Sequence, residues 1–287
     1  MNVGELISQI TSRLKSDWPE LDAQLVLAHV LDRPRTWILA HPETPLTAPQ
    51  LASVEEAVSR LEAGEPLPYV LGHWEFFGLD FNVTPDVLIP RPETELLVEK
   101  AIAWLLLPER SRRVADVGTG SGAIAVTLAM HVPEVRILAT DISPAALEVA
   151  KRNAEKFHVH HQIEFMECDL LPESKVEGQK SDLRLSTFDL ICANLPYIPT
   201  ATLKGLSVFG REPTLALDGG EDGLDLVRRL LDIAPPWLAP HGLILLEIEA
   251  TQGIQALSLA YDKFEDAEIH LHQDLVGHDR LLEIQLS

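Results

Sequence analysis

Two cysteines in 287 residues, Cys168 and Cys192, are too few for a disulfide scaffold, and neither stands in a Cys-x-x-Cys or zinc-ligand spacing. Both fall in apolar strand-like runs, "IEFMECD" and "FDLICAN", and read as buried reduced thiols; no residue set has the spacing of a metal site. Cations are scarce as well: 23 Lys and Arg stand against 44 Asp and Glu, a formal charge of −21. The deficit is spread along the chain, −8 over residues 1–90 and −13 over 91–287, so neither part is a basic arm. A protein that grips a phosphate backbone gathers cations. The densest group here is Arg110, Arg112 and Arg113, which disfavours nucleic acid as a partner. Long apolar runs are missing too. Nothing approaches the ~20 residues of a membrane helix, and the amphipathic start "MNVGELISQITSRLKSDW", with Glu5 and Asp17, is unlike a secretory signal. A cytoplasmic protein with no membrane partner, acting as a monomer, is expected.

What is present is enough apolar surface, 46% of the residues, for about two cores in a chain of this length. Up to about residue 63 the apolar positions recur at helical spacing, as in Leu6, Ile10 and Leu14 or Leu51, Val54, Val58 and Leu61. Prolines divide them into a bundle of short helices, and Gly64 is placed to close the last one. Residues 67–90, "LPYVLGHWEFFGLDFNVTPDVLIP", turn aromatic and β-branched around Gly72 and Gly78 and predict a β-hairpin linker. Its Trp74, Phe76 and Phe77 are expected to pack between domains. From residue 91 a helix leads into alternating strands and helices, the rhythm of an α/β doubly wound parallel sheet. Only "DLVGHD" separates the last two strands, "AEIHLHQ" and "RLLEIQL". Six residues hold no crossover helix, so this pair is expected to be antiparallel. The boundaries read as 1–66 helical, 67–90 hairpin and 91–287 sheet domain.

"DVGTGSGAIAV" stands where the first strand of that sheet passes into a helix. Gly118 and Gly120 permit a tight turn and close approach of a ligand to the backbone, and the N–H groups of the helix start favour a negative ligand group. With Ala123 the glycines also satisfy the dinucleotide pattern G-x-G-x-x-G/A, which keeps a dehydrogenase in play. Asp141 ends the second strand, at the distance expected of an acid that bonds ribose hydroxyls. Asp169 ends the third, where it or the Leu170 backbone can meet an adenine ring.

"NLPYIP" ends the fourth strand. Leu195 precedes Pro196 and is pushed into extended geometry, which points its carbonyl one way. That oxygen and the Asn194 side-chain oxygen can both accept from one substrate NH2 group, with Tyr197 packed on its plane. An NH2 held so aims its lone pair at an electrophile on the glycine loop, an arrangement for methyl transfer from S-adenosylmethionine. A nicotinamide enzyme wants a proton donor or base here, and "NLPY" supplies none.

In these motifs the chain resembles the HemK/PrmC family, which methylates the glutamine amide of the Gly-Gly-Gln motif in peptide chain release factors. The similarity runs through "LIPRPETE", the glycine loop, "ATDISPAALEVAKRNA", "NLPYI", "REPTLALDGGEDGLD" and "DLVGHDR". It implies a Rossmann-like class I S-adenosylmethionine methyltransferase sheet. It also implies that Gly118, Thr119, Gly120, Ser121, Gly122, Asp141, Asp169, Leu170 and Asn194 bind the cofactor. Asn194, Leu195, Pro196 and Tyr197 would hold the glutamine and carry catalysis, with Arg91, Pro92 and Glu93 near the pocket. The helical residues 1–66 would recognise the release factor. The family usually has Asn-Pro-Pro-Tyr, and Leu195 departs from it. The expected contact uses the backbone carbonyl, which survives the change. "NLPY" also resembles the motif of ribosomal RNA adenine dimethylases, so methylation of an exocyclic amine in nucleic acid is the alternative; the charge of −21 argues against it.

Overall fold

The computed structural model describes residues 1–108, 112–172 and 187–287; Arg110 and most of the polar loop at 171–187 lie outside them. Local signals set the N-terminal helices. Asn2 accepts the Glu5 N–H and Glu5 reaches back to the Asn2 N–H, a capping box that starts α1 (Val3–Arg13). Prolines open α2 (Pro19–Leu31) and precede α3 (Arg35–Ala40), and Thr47 with Gln50 caps α4 (Ala48–Glu62). Gly64, at φ 90°, takes the left-handed position past α4 that its place in the sequence predicts. These helices share a core of Val3, Leu6, Ile10, Leu27, Ile38, Val54 and Val58, and Arg13 ties α1 to α4 through Glu55 (2.7 Å) and Glu62 (2.8 Å). Residues 1–73 form one compact unit and 74–287 a second.

The hairpin starts later than the residue types suggest. Pro66 and Pro68 preset helical φ, so Leu67–Leu71 is a fifth helix, α5, closed by Gly72 at φ 76°. The strands are β1 (His73–Phe76) and β2 (Leu79–Asn82), and residues 83–90 are irregular. Phe77 and Gly78 join the strands, both at positive φ, 53° and 73°, as a two-residue hairpin turn requires. Phe76 and Phe81 are buried in the second unit's own core, rings 6.1 Å apart, so the apolar side of the hairpin covers the sheet domain's helices.

α6 (Glu95–Leu105) leads into β3 (Arg113–Val117), α7 (Ala123–His131), β4 (Arg136–Asp141), α8 (Pro144–Lys156), β5 (Ile163–Glu167) and β6 (Phe188–Ala193). Then come α9 (Thr200–Leu203), α10 (Asp225–Ile233), β7 (Leu238–Glu247), α11 (Gly253–Lys263), β8 (Glu268–Gln273) and β9 (Asp279–Gln285). Strands β3 to β9 make one sheet ordered β5-β4-β3-β6-β7-β9-β8. All are parallel except β9, antiparallel to both β7 and β8, as the short last link demands. Val114, Leu190 and Leu245 pack with α6 and α7, whereas Ala115, Ile191 and Ile244 pack with α10 and α11. Burial on both faces is why these strands read as unbroken apolar runs. Strand order reverses between β3 and β6, so a crevice opens at their carboxyl ends, where both motif loops emerge. No helix among the described residues is long and apolar enough to cross a membrane.

Candidate active site

The loop after β3 is pinned by the neighbouring strand: Gly118 and Thr119 both donate their N–H to the Thr140 carbonyl, at 2.9 and 2.8 Å. Gly118, Gly120 and Gly122 lie at φ 73°, 55° and 81°, where a side chain is strained. A Cβ on Gly122 would press on Ala150 of α8 at 3.2 Å, so this glycine serves helix packing. At Gly118 the added atom would meet Leu195 Cδ2 at 3.2 Å, and the space beside Gly120 is open.

α7 starts at Ala123, with Gly122 as its cap, and carboxylates of the protein meet the N–H groups around it. Asp116 accepts from Ala125 N–H (3.1 Å) and Thr119 Oγ1 (2.6 Å); Asp141 accepts from Gly120 N–H (2.9 Å) and Ser143 N–H (2.9 Å). A pyrophosphate would meet the Asp141 carboxylate on the crevice wall, whereas a positively charged ligand is attracted by it. The dinucleotide reading of the glycine pattern loses its physical basis here. Burial raises both carboxyls, Asp116 to about 7 and Asp141 against the pull of its backbone hydrogen bonds.

Asp116 Oδ1 has no hydrogen-bond partner among the described residues. A carboxyl held above its ordinary 3.8 stabilises the fold while protonated, and that contribution is lost as the pH rises from there to about 7. Asp116→Asn keeps an acceptor for Thr119 and Ala125. Its melting temperature relative to the parent is expected to climb between pH 4 and pH 7 and then level, as thermal melts across that range can check. A pH-independent difference would contradict the assignment.

β6 delivers Asn194, Leu195 and Pro196 to the crevice. Asn194 Nδ2 donates to Thr94 Oγ1 at 2.9 Å, Thr94 Oγ1 donates to Glu247 Oε2 at 2.6 Å, and Tyr197 Oη donates to Glu247 Oε1 at 3.2 Å. Glu247 ends β7, and burial pushes it up to about 7 against these two hydroxyl donors. Burial and the Glu247 charge raise the Tyr197 phenol too. Tyr197, part-buried, has its hydroxyl turned to Glu247 and is not among the residues that line the crevice.

A glycine-rich segment braces this loop. Ile198 N–H donates to the Leu217 carbonyl (3.0 Å), Gly219 N–H to that of Ile198 (2.9 Å), and Gln252 Nε2 to that of Tyr197 (2.9 Å). A Cβ on Gly219 would come within 2.7 Å of the Pro196 carbonyl oxygen, and one on Gly223 within 2.2 Å of that of Tyr197. "DGGEDG" thus lets backbone run against backbone. Arg91 pairs with buried Glu212, which also accepts the Ile89 N–H at 3.2 Å and so holds "LIPRPE" in place.

These segments line a cavity of about 690 Å³. Gly118, Thr119, Gly120, Ser121, Asp141, Asp169, Leu170, Asn194, Leu195 and Pro196 come together on its wall, with Arg91; Gly122 and Tyr197 stay outside. Asp169 lies two residues beyond β5 and pairs with Arg229 at 2.6 Å. Leu170, at φ 65°, has its carbonyl engaged by Thr140 Oγ1 (2.6 Å), which leaves its N–H and side chain for a ligand. Cys168 is only half-buried, because it lies past the end of β5, whereas Cys192 is fully buried. The parts played by Thr94, Glu247, Gly219, Gly223 and Gln252 follow from the fold and not from any spacing in the sequence. Glycine density marks "DGGEDG"; a single acid ending the apolar run "GLILLEI" is the one trace of Glu247. Acid groups beside apolar Ile142, Ala146 and Leu170 fit a nucleoside that carries a sulfonium.

The fold and this site define a class I S-adenosylmethionine-dependent methyltransferase. Residues 5–72 match the family model of the PrmC N-terminal domain and residues 93–199 that of the methyltransferase small domain. Among solved structures, a methyltransferase from Pyrococcus furiosus shares the fold at 18% identity, covering 83% of this chain and 98% of its own, with a TM-score of 0.51. The release factor glutamine methyltransferase of Moorella thermoacetica is 41% identical over 98% of this chain and 97% of its own length. That of Bacillus anthracis is 36% identical over 98% of each. The chain belongs to the release factor glutamine methyltransferase family.

Proposed function

We propose that the chain methylates the side-chain amide nitrogen of the glutamine in the Gly-Gly-Gln motif of peptide chain release factors, with S-adenosylmethionine as methyl donor. One observation carries the reading: Asn194 lines the cavity with its Nδ2 committed to Thr94, which leaves Oδ1 as an acceptor for a substrate NH2. The bound cofactor supplies an electrophilic methyl group. The protein's part is to hold a poor nucleophile. An amide lone pair is delocalised into its carbonyl, and acceptance by Asn194 Oδ1 and the Leu195 carbonyl would fix the NH2 and stabilise the positive charge that grows on nitrogen in a direct SN2 transfer, in which the N–C bond forms as the C–S bond breaks to leave a thioether and the surplus N–H proton is lost to water. Gly118 to Ser121, Asp141, Asp169 and Leu170 hold the cofactor, and Gly122 sets the helix behind it.

Residues 1–66 are proposed to recognise the release factor, 67–90 to link, and 91–287 to transfer the methyl group. The enzyme acts as a cytoplasmic monomer on protein rather than nucleic acid, a reading supported by the charge of −21. Radiolabelled methyl transfer to a recombinant release factor is expected, and none to the same factor with its Gly-Gly-Gln glutamine replaced. Transfer to RNA and not to the release factor would replace this reading with that of an exocyclic-amine enzyme.

A further inference from the structure

We infer that Thr94 and Glu247 are positioning residues that lock the side-chain amide of Asn194 in the one orientation able to receive a substrate NH2. The inference rests on the proposed amide methylation and adds to it the parts that set the acceptor. An asparagine amide presents an oxygen on one side and an NH2 on the other, and a half-turn exchanges them. Turned one way, Asn194 accepts from the substrate; turned the other, it offers N–H to N–H and repels it. Nothing in Asn194 itself chooses.

The choice is made two residues away. Above about pH 7 Glu247 is ionised and has no proton to give, so there it only accepts, and it does so from Thr94 Oγ1 at 2.6 Å and Tyr197 Oη at 3.2 Å. The single Thr94 hydroxyl proton is thereby spent on Glu247. Thr94 Oγ1 can then only accept from Asn194, whose Nδ2 meets it at 2.9 Å. Direction is relayed from β7 through the start of α6 to the end of β6, three segments far apart in the chain. Glu247 and Thr94 are both buried, so water does not offer the competing donors that would scramble the order. The same carboxylate anchors Tyr197, three residues beyond Asn194, and so holds the loop at both ends.

Thr94→Val keeps the shape and removes the hydroxyl; Glu247→Leu removes the acceptor and lets the Thr94 proton turn toward Asn194. Each is expected to lower kcat on a release factor about 10–100-fold, as misplacement of a reacting group does. KM for the release factor and the dissociation constant of S-adenosylmethionine should stay within about threefold, because neither residue supplies general binding. Thr94→Ser, which retains the hydroxyl, should restore kcat. The double variant should lose no more than either single one, since both break one relay. Full kcat in Thr94→Val would overturn the assignment, as would a loss that Thr94→Ser does not repair or that the two changes produce additively.

A second measurement needs no substrate. In 15N spectra, the Asn194 side-chain NH2 pair, identified by its disappearance in Asn194→Ala, should exchange slowly with water in the parent and fast in Thr94→Val. Equal exchange in both would show that the hydrogen bond does not order the amide, whatever the kinetics. Should the parent itself methylate no release factor, the proposed substrate fails; this spectrum still decides the donor order.

Discussion

Asn194→Ala is expected to cut kcat for methyl transfer about 10²–10³-fold, the usual effect of deleting one preorganised polar partner of a transition state. Orientation of two bound reactants can supply up to about 7–11 kcal/mol of a barrier, and an amide nitrogen depends on it more than an amine would, because its lone pair must be aimed as well as brought near. Alanine removes the acceptor Oδ1 and with it the bond that fixes the NH2 plane. It also leaves Thr94 Oγ1 without the Nδ2 that meets it at 2.9 Å, so the pocket loses order on both sides of the residue. The proposed cofactor site has other holds, in the glycine loop and in Asp141, so its affinity by calorimetry should fall far less than turnover. Single-turnover rates with saturating release factor check the first number. Near-normal turnover in a folded variant would remove Asn194 from the chemistry.

Gly223→Ala is the second large effect expected, and it acts without touching any ligand. Gly223 sits at φ 81°, where a Cβ costs roughly 1–2 kcal/mol. That atom would also stand 2.2 Å from the Tyr197 carbonyl oxygen and 2.4 Å from the Gln252 Nε2 that bonds this carbonyl. Either the glycine-rich segment or the Asn194–Tyr197 loop must move, and a shift of about 1 Å at the acceptors is worth on the order of 10² in rate. Gly277→Ala is the control: φ is 84° and nothing lies within 4 Å of the added atom, so it carries the backbone strain without the collision. Activity should collapse in the first variant and persist in the second, and the first should also lose more melting temperature, because it adds the collision to the strain both share. Equal activity in the two would mean that the loop's position is not what Gly223 protects.

Much of this protein was legible in one dimension because its signals are local. Proline and capping residues start helices, and Gly64 ends one, through contacts within a single turn. The alternation that predicts a doubly wound sheet is likewise a periodicity of neighbours, and the short link before β9 forces that strand antiparallel. The motif loops could be placed at strand ends for the same reason. Where short-range cues conflicted, reading failed: residues 67–71 have the aromatic and β-branched look of a strand, but two prolines and Gly72 make them a helix. Local sequence thus carries the alternation of strands and helices from residue 91 on, the glycine loop and the placing of Asn194–Tyr197 at a strand end.

Tertiary structure decided what those parts are for. Only in three dimensions does Asp141 of β4 meet the Gly120 N–H of the loop after β3, which turns a phosphate-type loop into one suited to a cation. Only there does Glu247 come within reach of Thr94 and Tyr197, residues 153 and 50 positions away. Hydrogen-bond direction is a property of such a network as a whole. Each hydroxyl has one proton, and where it goes depends on an acceptor whose distance in space bears no relation to its distance along the chain.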